Sequence, residues 1–168
     1  MTVTTSPAAP SRSPVPGPTT GAALDGDVVR VELAALPSHV RTARLICAAV
    51  ARRVGLDPGL LDELKLAVGE ACTRAVELHA AVAPQEPVEV CLGLSRGTLS
   101  VEVSDRGPAS EAPGDVPGGS ELLDQLSSTD GGASELGLAL VRGLVEDLRV
   151  TPRDGGGTTV RMRWPVAG

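Results

Sequence analysis

Four charged side chains, Glu63, Glu70, Arg74 and Glu77, fall at offsets of seven, four and three residues in the run from Leu61 to Ala80. On an α-helix those steps line up along one edge. Beside them Leu60, Leu64, Ala67, Val68, Ala71, Cys72, Ala75 and Leu78 recur at three- and four-residue steps and make an apolar side. A charged stripe beside a buried face is either a solvated surface or the wall of a site. Arg74 stands four residues C-terminal to Glu70, the favourable orientation for a helical ion pair worth about 0.2–0.5 kcal/mol when exposed. Its guanidinium is permanently charged, so it clamps phosphate well and repels a metal cation.

Other residues of chemical interest are spread along the chain. Asp105-Arg106-Gly107-Pro108 closes an alternating run, Gly137 lies in an apolar stretch, and Gly155-Gly156-Gly157 leads into Thr158-Thr159. Cys47, Cys72 and Cys91 are far apart, and no Cys-x-x-Cys or Cys/His cluster occurs, so neither zinc ligation nor a disulfide framework is indicated. His39 has no carboxylate or cysteine placed beside it and reads as a surface histidine.

These residues must be positioned by a regular framework. Val28 to Leu33 alternates as a half-buried strand; Pro37 opens a helical pattern that runs to Val54 and stops at Gly55. Asp57 is a good N-cap, with Pro58 at the first position, for the helix that carries the charged stripe. Val88–Leu94 and Leu99–Ser104 read as a hairpin about Ser95-Arg96-Gly97-Thr98. A proline- and glycine-rich loop, 107–133, contains a short helical stretch at 120–126 and is lid-like in length. A helix from Ser134 to Val145 and two strands, Leu148–Thr151 and Thr158–Trp164, complete the order. Strand, helix, helix, two strands, loop, helix, two strands imply an α+β two-layer sandwich with helices on one face of a mixed, mainly antiparallel sheet.

Composition bounds the function. The 168 residues suffice for one domain, 27–168, after a Pro/Ala/Ser/Thr-rich tail, 1–26, that reads as disordered. With one Trp and no Tyr or Phe, stacking platforms for single-stranded nucleic acid are lacking. A net charge of −6 and a pI near 4.9 oppose direct nucleic-acid binding and suit a partner with a basic face. No apolar run approaches the ~20 residues of a membrane span, and the N-terminus lacks a signal-peptide core. Cysteine usage fits a reducing, cytoplasmic setting.

Taken in order, Glu70, Thr73, Arg74, Ala75, Val76, His79 and Ala80, then Asp105 with Gly107, then Gly137-Leu138-Ala139-Leu140, then Gly157-Thr158-Thr159-Val160 resemble the ATP-binding boxes of the GHKL ATPases. Those ATPases have the HATPase_c or Bergerat fold, and the resemblance is specifically to the small bacterial anti-sigma factors that double as protein serine kinases. The resemblance covers most of the chain from about residue 28. It implies that Glu70 is a general base, that Asp105 accepts the adenine amino group, that backbone N–H groups at Gly137 meet phosphate, and that Gly107, Gly157, Thr158 and Thr159 line the pocket. Three positions depart from the pattern: Arg74 replaces the Asn that would hold Mg²⁺, Ala109 replaces the second glycine after Asp105, and Glu135 replaces the opening glycine before Gly137.

The expectation is therefore an anti-sigma protein that binds a sigma factor and is released by a STAS anti-anti-sigma partner. The three departures imply that ATP binds weakly or not at all, and they argue against Mg²⁺. The alternative is an active ATP-dependent serine kinase acting on the STAS protein, with Arg74 on phosphate. A sensor histidine kinase would need a dimerising hairpin with a phosphoacceptor His, for which the tail leaves no room. The family often forms homodimers, and a homodimer is possible here.

Overall fold

The computed structural model describes residues 28–107, 141–145 and 147–166. The expected tail 1–26, nearly all of the loop 107–133, the stretch 120–126, and Ala109, Glu135 and Gly137 lie outside the described residues. The elements are β1 (Val28–Ala34), α1 (Pro37–Arg53), a 3₁₀ turn (Pro58–Leu60), α2 (Leu61–Val82), β2 (Pro87–Ser95), β3 (Thr98–Ser104), β4 (Asp147–Pro152) and β5 (Thr158–Pro165). Residues 141–144 are helical.

Five strands form one sheet in the order β1-β2-β3-β5-β4. Of the mixed, mainly antiparallel sheet expected, every described pairing is antiparallel. Side chains alternate across it, so the rungs Leu92–Val101–Met162 and Val90–Val103–Val160 share one face. All six of these residues are buried, and α1 and α2 cover them. Each such side chain contributes about 1.5–3 kcal/mol on leaving water. The other face is polar: Arg161 bonds Glu102 at 2.6 Å and Arg163 bonds Asp147 at 3.2 Å.

The two helices pack through small residues. Ala43, Cys47 and Ala51 of α1 join Ala67, Ala71 and Ala75 of α2 in the same core, which lets the backbones approach closely in a chain that has almost no aromatic filling. Asp57 accepts a hydrogen bond from Gly59 N–H at 2.7 Å, so it caps the 3₁₀ turn rather than α2 itself. The helix then begins at Leu61 with Asp62 and Glu63 in its first turn. The hairpin turn puts Arg96 and Gly97 at positive φ, 49° and 72°, the two-residue geometry that matches the twist of its strands. The lone Trp164, on β5, donates from Nε1 to Glu63 at 2.8 Å and ties the sheet to the start of α2.

Candidate functional site

Asp105 follows β3 directly, where the strand leaves the sheet, and is 1% exposed. Its backbone continues the ladder by donating N–H to the carbonyl of Thr158 at 2.9 Å. Its Oδ1 accepts from Gly107 N–H at 2.9 Å and from Thr158 N–H at 3.1 Å. Its Oδ2 accepts from Arg74 Nη1 at 3.0 Å. A buried carboxylate is stable only when paired and hydrogen-bonded, and this one is both.

Two glycines make the enclosure possible. A Cβ on Gly107 would lie 2.6 Å from Leu78 Cβ, within the packed end of α2. Gly157, at φ +96°, lies against the backbone of Asp105 and Arg106, and a Cβ there would collide with the Asp105 carbonyl oxygen. Glycine is required at 157 by both conformation and space.

Arg74 is 5% exposed and points inward from α2. A Glu70–Arg74 surface pair, one of the two readings of the stripe, does not form: the guanidinium reaches Asp105, 31 residues away in the chain. The physical reason is that a buried anion costs far more unpaired than an exposed helical pair gains, so the cation goes to the carboxylate with the greater need. Glu70 stays half-buried one turn back along α2 and has no ion pair among the described residues. Thr158 is fully buried, and its Oγ1 has no partner among the described residues. Thr159, grouped with it in the sequence reading, turns to the open face of the sheet and bonds Ser104 Oγ at 2.9 Å. Adjacent strand residues face opposite sides, so only Thr158 of the pair joins Asp105.

Two residues that carried no assigned role support the loop. His79, fully buried on α2, faces the Glu86 carbonyl through Nδ1 at 2.9 Å and accepts Arg106 N–H on Nε2 at 2.6 Å. A carbonyl can only accept and an N–H can only donate, so the imidazole is neutral with its proton on Nδ1. Arg153, in the β4–β5 turn, donates to the Asp105 carbonyl at 3.3 Å and to Glu89 at 3.5 Å. The sequence placed His79 in the helical box but gave it no partner; nothing there separated Arg153 from an ordinary turn arginine.

The cysteines take no part. All three are free. Burial pushes Cys47 and Cys72 up to about 12, and it raises Cys91 as well, so each stays a neutral thiol.

The Asp105 carboxylate therefore has all its described partners within the chain: two backbone N–H groups on Oδ1 and the Arg74 guanidinium on Oδ2.

Comparison with known proteins identifies the family. Residues 33–164 match the model of the histidine kinase-like ATPase domain. The serine-protein kinase RsbW of Bacillus subtilis is 32% identical over 145 residues, spanning 82% of this chain and 85% of that protein. RsbW of Bacillus velezensis is 33% identical over 143 residues, 81% of this chain and 84% of the relative. In fold, the crystal structure of the RsbU and RsbW domains of Rv1364c from Mycobacterium tuberculosis superposes with a TM-score of 0.60 at 21% identity, over 83% of this chain and 32% of that one. With its antiparallel sheet, its helical layer and these matches over most of its length, the chain belongs to the histidine kinase-like ATPase family of the GHKL superfamily, on the branch of the RsbW serine-protein kinases and anti-sigma factors.

Proposed function

We propose that this chain is a cytoplasmic anti-sigma regulator that binds and inhibits a sigma factor and is released by a STAS anti-anti-sigma partner, its ATP binding and serine kinase activity weakened or lost. The observation that carries the reading is the buried pair of Arg74 with Asp105; by the resemblance, Arg74 stands where the family has the asparagine that holds the metal. In sequence, Ala109 and Glu135 stand where the family pattern has glycines, two further departures in the same sense. Sequestration needs surface rather than phosphoryl chemistry, so the scaffold can keep that role. No helix among the described residues is long and apolar enough to cross a membrane, and a cytoplasmic location suits a sigma-factor partner.

Calorimetric titration of ATP with and without Mg²⁺, followed by a transfer assay on a STAS protein, tests this. Weak or metal-independent binding without serine phosphorylation is the expected result. Micromolar, Mg²⁺-dependent binding with transfer would establish the second reading, an active serine kinase. That reading is favoured by one observation: Glu70 is not paired with Arg74 and has no ion pair among the described residues, as a carboxylate acting as a base requires.

A further inference from the structure

We infer that Arg74 is an internal occupant of the base-recognition point, a side chain standing where the amino group of a purine would bind. This rests on reading Asp105 as the base-facing carboxylate. Adenine presents an N–H donor to that acceptor, and Arg74 Nη1 is an N–H donor 3.0 Å from Oδ2. Oδ1 is already held by the backbone N–H groups of Gly107 and Thr158. Oδ2 is therefore the oxygen left for a ligand, and the chain itself has taken it.

Two features mark the guanidinium as a substitute rather than the group for which the enclosure was shaped. It satisfies the carboxylate but leaves Thr158 Oγ1, fully buried on the neighbouring residue, without a partner among the described residues. It also arrives from a helix one layer away, whereas the other donors to Asp105 are backbone groups of the site itself. The consequence is a selectivity set by one residue. With Arg74 present a 6-aminopurine must displace a charge-assisted bond; with it removed, Oδ2 becomes a buried acceptor that favours an amino group and rejects a carbonyl.

The test uses nucleosides, which carry no phosphate and need no metal. Adenosine and inosine are titrated into the full chain, Arg74→Ala, and Arg74→Ala with Asp105→Asn, with Trp164 fluorescence and circular dichroism verifying the fold. The unaltered chain should not distinguish the two nucleosides. Arg74→Ala should bind adenosine at least about tenfold more tightly than the unaltered chain does, and about tenfold more tightly than inosine. The double variant holds no buried charge and offers an amide N–H at the same point, so its preference should reverse to inosine. A folded Arg74→Ala with no gain for adenosine, or an unaltered chain that already discriminates, overturns the inference. If Arg74→Ala does not fold, the double variant decides alone: inosine preference supports the inference, and equal or no binding overturns it. Failure of the wider reading would be seen separately, in sigma-factor retention or phosphate transfer, since the nucleoside comparison involves neither partner nor phosphate.

Discussion

At the residue scale the molecule is dominated by one buried ion pair. Arg74 and Asp105 are 5% and 1% exposed, and removing one member leaves the other as an uncompensated charge. Arg74→Ala is therefore expected to lower unfolding stability by about 3–5 kcal/mol, measured as a shift in the urea midpoint followed by Trp164 emission. The same geometry bears on activity. On the proposed reading, Arg74→Asn supplies the asparagine that the resemblance implies but leaves Ala109 and Glu135, so incomplete phosphoryl transfer is expected; full transfer in that single variant would show that the other two departures matter little. His79 belongs to the same scale. His79→Ala strips partners from the Glu86 carbonyl and the Arg106 N–H together, at a cost of about 2 kcal/mol or more. His79→Gln keeps an acceptor for Arg106 and should lose less. Nitrogen NMR of the imidazole, reporting a proton on Nδ1 and a bare Nε2, checks the role directly.

At the element scale the site is made where three segments meet: the inner edge of α2, the exit of β3 and the turn entering β5. The turn is the tightest of these contacts. Gly157→Ala adds a methyl group at φ +96° against backbone rather than a movable side chain, so it should destabilise by about 2–4 kcal/mol. Gly155, also at positive φ but with open space around it, supplies the comparison: Gly155→Ala should cost about 1 kcal/mol, from conformation alone. Equal losses in thermal melts of the two variants would show that the close approach to Asp105 is not what matters at 157. These elements were largely legible beforehand, because hydrophobic periods of two and of three to four residues separate strand from helix without reference to the rest of the chain. α2 starts one turn later than its Asp-Pro capping pattern predicts, since a proline after a capping aspartate suits a 3₁₀ turn as well as an α-helix.

At the scale of the whole molecule, a core without Phe or Tyr is filled by Ala, Val, Leu and two buried cysteines that link helix packing to pH. Burial raises Cys47 and Cys72 from an ordinary 9.0 to about 12. A folded-state value above the unfolded one contributes stability fully below pH 9 and loses it as pH climbs towards 12. Stability should therefore fall between pH 9 and 12, with unfolding near pH 10.5 releasing protons, as measured by denaturant titration across that range. By itself, the sequence determined the order of the described elements and the antiparallel tendency, because both are written in local spacing. Only the tertiary structure decided where Arg74 points. Helical spacing offered Glu70 as the partner four residues away, and no local rule could weigh that exposed pair against a carboxylate 31 residues along the chain. That carboxylate is buried only once the sheet and α2 have packed, and its burial is what draws the guanidinium inward.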